Sequence, residues 1–526
     1  MVSRPNATRV RHAPTPARQR PGTAGNPAPP RVEAPVGVIH LAAECWPFAR
    51  TGGLGEAVRG LATYQAAAGM PTTVVLPLYR QVRETTPALE RAGPPFAVTL
   101  GGRIETGWLY RFVDGGPGTN GSTAGGAAQR VFFIEHPDFF DRAGIYGDDA
   151  GDYPDNALRF AFFCVAALTV LPQIAPDAQV LHAHDWHAAL APVYLRIAFA
   201  GRPVYDRLAT VLSVHNGGFQ GHFSPATVAA LGLPPELCNS DYFEWYGRMN
   251  VLKGGLAFSD MAVTVSPTHA RELRTPEGGF GLHDTFTRLG DRLVGILNGI
   301  DMQAWDPRTD PHVTATYSAD DLAGKRRCKA ALQQSYGLPL RTHTPLAAMS
   351  ARLVAQKGLD LVLGADLLGS SDAQFIFLGT GESRYHTALT ALAAAAPDRV
   401  AVEFAFTDHL EHRLLAGADL LLMPSLYEPC GLTQMRAQRY GTIPIARRVG
   451  GLVDSIEDGA TGFLFDEYTP DALEQALQQA VERYRDRTAW RSMMRRALKR
   501  SFGWEPSADQ YLAVYRRALA ARSAAL

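Results

Sequence analysis

The stretch VGVIHLAAECWPFARTGGLGEAVRGLATYQAAAGMPTTVVLPLY, residues 36–79, decides the fold. VGVIHLAAE (36–44) is a short apolar run of the kind that forms a buried strand. Gly52, Gly53 and Gly55 then interrupt the chain, EAVRGLATYQAAAGM (56–70) carries the spacing of an amphipathic helix that closes near Gly69, and TTVVLPLY (72–79) is a second apolar run. Strand, glycine-rich turn, helix and strand make a βαβ unit, and repetition of such units gives a parallel sheet with helices on its faces.

The alternation continues in both directions. AQVLHAHD (178–185), ATVLSVHN (209–216), MAVTVS (261–266) and RLVGILNG (292–299) read as further strands, and DNALRFAFFCVAALTVL (155–171) as a helix. WDPRTDP (305–311) reads as a linker and GKRRCKAALQQSYGL (324–338) as the helix beyond it. A second series follows: PLAAMSAR (345–352), AQFIFLG (373–379), RVAVEFAF (399–406), LLLMPS (420–425) and TIPIARR (442–448). A chain of 526 residues exceeds the roughly 250–300 at which single cores stop growing. The predicted fold class is therefore α/β, with two Rossmann-like, doubly wound parallel-sheet domains facing a central cleft. Residues 1–34, rich in Pro and Arg, read as a disordered tail, 35–300 as the N-terminal domain, 301–505 as the C-terminal domain, and 506–526 as a helix packing back on the N-terminal domain. GGPGTNGSTAGGAAQ (115–129) reads as a long surface loop.

Composition narrows the function. Lys plus Arg and Asp plus Glu both number 51, for a formal net charge of zero, so the broad basic field that nucleic acids or anionic membranes favour is missing. The five cysteines stand singly, with no CxxC pair, which argues against a zinc site or a disulfide framework and for a reducing cytoplasm. No apolar run reaches the length of about 20 residues that a membrane span requires.

Ligands of open α/β sheets bind beyond the carboxyl ends of the strands. The polar residues at those positions are Arg50 with its glycines, His184 with Asp185, His215 with Asn216, Asn298, Arg352 with Lys357, Gly379, and Glu428. Glycines after a strand bring backbone N–H groups close to an anion at a helix N-terminus, although such turns also serve tight packing alone. The loop at 50–56 is neither GxGxxG nor GxxxxGK[ST], which disfavours a nicotinamide cofactor. Arg352 and Lys357 converge two cations that a dianion such as a diphosphate stabilises; the plainer reading is two solvated surface charges. In LHAHDWHAAL (181–190) the histidines imitate zinc ligation, but strand geometry is expected to bury one and leave His184 facing the cleft, and no metal is expected. Glu428, at a loop tip before a helix, reads as a ligand to sugar hydroxyls or as a helix cap.

The segments HAHDWHAALAP, VHNGGFQGHF, NVLKGGLAFSDMAVTVSPTHARELRTPEGGFGL, GILNGID, SARLVAQKGLD and PSLYEPCGLTQMRAQRYGTIPIARRVGGLVD resemble, in order and spacing, those of the ADP-glucose-type glycogen and starch synthases, retaining glycosyltransferases with the GT-B fold. The likeness runs from about residue 37 to 515. It implies transfer of glucose from ADP-glucose to the non-reducing end of an α-1,4-glucan, with no metal and no cofactor beyond the substrate, and an N-terminal domain on the acceptor side facing a donor-binding C-terminal domain. His184, Arg352, Lys357 and Glu428 resemble the family's catalytic residues; Arg50, Gly52, Gly53, Asn298, Gly379, Cys430, Gly431, Leu432 and Thr433 resemble its donor-binding positions; Asp155, Asn156, His215 and Asn216 fall on the acceptor side. The chain departs from the family at the opening loop, where Arg50 replaces a lysine and Glu56 an aspartate, so donor preference is open. The rival readings are a related GT-B transferase with another donor or a small acceptor, and a glucan-binding pseudoenzyme.

Overall fold

A computed structural model describes residues 35–526 apart from 87, 114–128 and 149. The predicted tail and all but the last residue of the 115–129 stretch lie outside the described residues.

Ten strands form the first sheet: β1 (Val38–Leu41), β2 (Thr72–Pro77), β3 (Leu89–Arg91), β4 (Phe96–Leu100), β5 (Arg103–Phe112), β6 (Arg130–Glu135), β7 (Val180–His184), β8 (Ala209–Val214), β9 (Met261–Thr264) and β10 (Leu293–Gly295). Their order is β10-β9-β8-β7-β1-β2-β6-β5-β3, with β4 on β5. From β10 to β6 every pairing is parallel, with Val38 opposite Thr72 on one side and Val180 on the other. Beyond β6 the sheet turns antiparallel. This edge departs from the all-parallel expectation, and for one of its pairings, β4 with β5, the cause is local: Gly101 and Gly102 sit at φ 56° and 78°, the doubly left-handed backbone of a tight two-residue hairpin.

The second sheet is parallel throughout. Its strands are β11 (Leu346–Ser350), β12 (Gln374–Leu378), β13 (Val400–Glu403), β14 (Leu420–Met423), β15 (Ile443–Arg447) and β16 (Phe463–Phe465), in the order β13-β12-β11-β14-β15-β16. Strands flanked by helices on both faces are apolar on both faces, and β11, β12 and β14 are buried at every residue.

Five helices matter for the site: α1 (Gly53–Ala67), α2 (Asn156–Ile174), α3 (Asp408–Gly417), α4 (Thr433–Arg439) and α5 (Glu505–Ala525). α1 starts at Gly53, three residues before the amphipathic spacing sets in, because Gly55 packs on backbone: a Cβ there would stand 2.8 Å from the Ala49 carbonyl oxygen. α2 is the exception to the expected lack of a span-length segment. It is long and apolar enough to cross a bilayer by length and composition, but its apolar faces are taken up by the core, with Phe160, Phe162 and Phe163 all within 1% exposure. The residues between β10 and the helix Ala323–Ser335 contain no regular element, yet Trp305, Asp306 and Asp310 are buried. α5 packs along β8, where Trp504, Tyr511, Val514, Tyr515 and Ala518 join Val38, Leu61, Val180 and Val211 in one apolar cluster.

Candidate active site

The carboxyl ends of both parallel sheets open on one cavity of about 720 Å³. From the first sheet's side come Glu44, Arg50, the Gly52–Gly53 turn, Asp185, His215 and Asn298; from the second come Arg352, Lys357, Glu411, Glu428, Thr433 and Arg436.

On the second sheet, β11 runs into a single 3-10 turn, Ala355–Lys357, closed by Gly358 at φ 77°. A Cβ at Gly358 would lie 2.0 Å from the Pro424 carbonyl oxygen, so only glycine lets this turn pack beside the end of β14. The packing delivers Lys357 to Glu428: Nζ donates to Oε2 at 2.6 Å, and Ser425 Oγ donates to the same oxygen at 3.1 Å. Gly450, at φ 45°, fixes the other side, since a Cβ there would stand 1.9 Å from the Glu428 carbonyl oxygen and the Gly451 N–H donates to that oxygen at 3.0 Å. The two charges read separately in the sequence are thus one ion pair. Arg352 is exposed at the cavity, and its guanidinium makes no hydrogen bond or ion pair among the described residues.

The glycine turn is held by a residue the sequence reading passed over. Glu44, 2% exposed, accepts from the Thr51 N–H at 2.7 Å, the Thr51 hydroxyl at 2.7 Å, the Gly52 N–H at 3.4 Å and the Tyr146 hydroxyl at 2.6 Å. Arg50 does not stand free. It stacks on Trp46, with 4.2 Å from Cζ to the ring centroid, and bonds Glu56 at 3.0 Å and Asp408, at the start of α3, at 2.7 Å. Thr407 caps that helix, accepting from the Leu410 N–H. Glu56 also pairs with Arg436 on α4, which bonds Glu411 at 2.9 Å. Glu411 and Arg436 attract each other, yet burial acts more strongly on both, pushing the carboxyl up to about 7 and the guanidinium down to about 9.

His184 corrects the expectation. It is 1% exposed and absent from the cavity wall. Alternation along β7 does put His182 and His184 on one side, but α5 covers that side, and the two rings lie 4.2 Å apart with Tyr515 over His182. Nitrogens of His40, His182 and His184 lie within 4.8 Å of one another, a donor set of metal-binding type; each is engaged in hydrogen bonds within the protein, His40 Nδ1 with His184 Nε2 at 3.0 Å and His182 with Tyr515 and Ser213. The residue after His184 reaches the cavity instead. Asp185 takes φ 55°, a left-handed backbone that non-glycine residues rarely adopt, and its carboxylate accepts the His215 N–H at 2.7 Å. Burial pushes that carboxyl up to about 7.

Two other expected positions miss the wall. Gly379 packs on the β11 end, where a Cβ would meet the Ala351 carbonyl oxygen at 1.8 Å, and Thr380 lines the cavity in its place. Asp155 is turned to Arg142 in a two-point pair at 2.6 and 2.7 Å, leaving Asp152 and Asn156 at the cavity. Asn216, Cys430, Gly431 and Leu432 line it. Asn298 does so with a buried side-chain oxygen that has no hydrogen-bond partner among the described residues, and burial pushes the Cys430 thiol up to about 12.

Residues 37–288 match the family model described as starch synthase catalytic domain, and residues 334–497 that of glycosyl transferases group 1. A glycogen synthase of Anaeromyxobacter dehalogenans is 42% identical over 486 residues, covering 91% of this chain and 99% of that protein. Glycogen synthase 2 of Geobacter sulfurreducens is 39% identical over 488 residues, covering 91% and 98%. Among solved structures, the catalytic domain of starch synthase IV from Arabidopsis thaliana bound to ADP and acarbose superposes with a TM-score of 0.82 at 32% identity, covering 93% of this chain and all (100%) of that one. Sucrose-phosphate synthase from Thermosynechococcus elongatus, at 17% identity and a TM-score of 0.57, shares the fold.

Proposed function

The chain belongs to the glycogen synthase family, with the GT-B fold, and from that premise we propose that it transfers glucose from ADP-glucose to the non-reducing end of an α-1,4-glucan with retention at the anomeric carbon. The observation that carries the reading is Arg352: a guanidinium with no counter-ion among the described residues, set beside the Lys357–Glu428 pair at the carboxyl ends of β11 and β14 and across the cavity from the Gly52–Gly53 turn. A cation left without a partner at a cavity wall is stabilised by a bound dianion, and a planar guanidinium can hold two phosphate oxygens at once.

Breaking the bond between the anomeric carbon and the diphosphate leaves its electron pair on the diphosphate oxygen and positive charge on the sugar ring. Arg352 and the Lys357 ammonium are preorganised for the first charge. The Glu428 carboxylate and the neutral polar groups of Asn298, His215 and Asn216 suit the sugar and the second. The acceptor hydroxyl that forms the new bond gives up its proton to the diphosphate oxygen that departs with the electron pair, so charge and atoms balance. Closure of the two sheets on the substrate excludes the water that would divert glucose to hydrolysis.

The test is incorporation of radiolabel into glycogen by the purified protein, with ADP-glucose and UDP-glucose in parallel. Faster incorporation from ADP-glucose supports the proposal. Transfer to small acceptors only points to a different GT-B transferase, and glycogen binding without incorporation to a pseudoenzyme.

A further inference from the structure

Four residues stand in single file between the cavity and the buried face of α5. His215, at the cavity wall, meets His184 (Nε2 to Nδ1, 3.0 Å); His184 meets His40 (Nε2 to Nδ1, 3.0 Å); and His40 Nε2 meets Gln65 Oε1 at 2.8 Å. A second branch starts at the same amide. Gln65 Nε2 donates to the Tyr515 hydroxyl at 2.9 Å, that hydroxyl meets His182 Nδ1 at 2.8 Å, and His182 Nε2 meets Ser213 Oγ at 2.7 Å. His40, Gln65, His182, His184 and Tyr515 are all within 1% exposure.

A neutral imidazole has one N–H and one bare nitrogen, so each link fixes the next. Gln65 Oε1 carries no proton, and His40 must therefore donate from Nε2. That leaves His40 Nδ1 bare and requires the N–H of His184 to sit on Nε2; His184 Nδ1 is then bare, and His215 donates to it from Nε2. The last atom of the file is His215 Nδ1, which is left as an acceptor. On the other branch, the Gln65 N–H turns the Tyr515 proton toward His182 Nδ1, and the His182 N–H goes to Ser213. No link sets two donors or two acceptors face to face. Turning the Gln65 amide end for end would swap every tautomer in the file, because amide orientation and ring tautomer are chosen by the same network.

We propose that Gln65 is a positioning residue for glucosyl transfer: its amide oxygen, acting through His40 and His184, holds His215 in the tautomer that presents a bare Nδ1 to a hydroxyl group of the sugar bound in the cavity. The role rests on the transfer reaction proposed above. Burial keeps the file neutral, lowering His40 to about 4 and His215 to about 3, so the donor–acceptor alternation holds across the ordinary range of assay pH. Gln65 lies on α1, the helix opened by the Gly52–Gly53 turn, and its second partner is on α5. The helix that closes the chain thus helps to set the polarity of a group at the cavity.

The experiment has two parts. In protein labelled with 15N-histidine, with His215 assigned by comparison with a His215→Gln variant, long-range nitrogen–proton correlation reads which ring nitrogen carries the proton. His215, His184 and His40 are all expected to be protonated at Nε2. In the glycogen assay, Gln65→Met is expected to lower kcat about tenfold, the worth of one hydrogen bond, with KM for ADP-glucose within about twofold of wild type. Gln65→Glu, whose carboxylate only accepts and so enforces the same tautomer as the carboxylate behind a catalytic imidazole, is expected to restore kcat to within about threefold. A His215 protonated at Nδ1 in the wild-type protein, or a wild-type kcat in Gln65→Met, sinks the proposal. If Gln65→Glu does not fold, the wild-type spectrum still decides the polarity. A wild-type protein that incorporates no glucose overturns the reaction, and the positioning role with it, while the spectrum still reports the tautomer.

Discussion

The two faces of the cavity solve the same problem with opposite materials. The first sheet approaches it mostly with neutral or compensated groups: a file of uncharged histidines, a carboxylate (Glu44) spent on the glycine turn, and an arginine (Arg50) held between two acids, with Asp152 the exception. The second approaches it with charge, in Arg352, which has no partner among the described residues, and in the Lys357–Glu428 pair. The difference assigns the tasks. A face of neutral, fixed dipoles suits sugar hydroxyls, and a face with an uncompensated cation suits a leaving anion.

Acid breaks the neutral face and should have the largest effect. Burial depresses the pKa of five histidines near the cavity: His40 to about 4, His187 and His215 to about 3, and His182 and His184 well below the usual value. A depressed folded-state pKa means that the unfolded chain binds the proton first, so their contribution to stability is complete above about 6.5 and is lost as pH falls toward the folded values. Asp185 and Glu411, both raised to about 7, oppose this, because between their unfolded values and 7 it is the folded state that binds the proton. The five histidines outnumber the two acids, so stability should fall as pH drops from about 6.5 toward 5. Chemical denaturation followed at pH 7, 6 and 5 measures the slope; a flat profile would mean that the rings are not buried neutral.

Arg352→Ala tests the charged face. It removes the one cavity cation that has no ion-pair partner among the described residues, and kcat should fall by on the order of 10²–10³ with little change in melting temperature, since no described side-chain contact is lost. Next comes Glu428→Gln, which keeps the shape and leaves Lys357 without its counter-ion. A loss of roughly 10²-fold in kcat is expected, and a wild-type kcat would reduce Glu428 to a structural brace.

What the sequence disclosed follows from the range of its signals. The βαβ alternation, the cleft-facing ends of the strands and the cations at 352 and 357 were legible because each is written in a few neighbouring residues. The β4–β5 hairpin of the antiparallel edge was also written locally, in the Gly101–Gly102 pair between two alternating runs, and could have been found there. The partners were not legible. Arg50 and Asp408 are 358 residues apart, and Glu56 and Arg436 are 380 apart, so nothing near any of them indicates that it is paired. His184 failed for a related reason: period two fixes which residues share a side of a strand, but whether that side faces the cleft or α5 depends on a helix more than 300 residues downstream. His40 sits in an apolar run, VIHL, and reads as core until its neighbours in space are known.

The smallest expected effect sharpens the comparison at its least symmetric point, the two arginines of the cavity. Arg50 differs from Arg352 by being occupied, and Asp408 is the partner contributed by the opposite face. This pair is part-exposed, at 23% and 37% for the two side chains, so in the free protein it contributes about 1 kcal/mol or less. If Asp408 only competes with the diphosphate for Arg50, Asp408→Asn should lower KM for ADP-glucose by about two- to threefold, leave kcat unchanged and steepen the dependence of KM on salt. The opposite result has a distinct physical meaning. A raised KM or a tenfold loss of kcat would make the pair a tie that holds the two faces at working distance, and the charge on the first face would then serve closure in place of substrate.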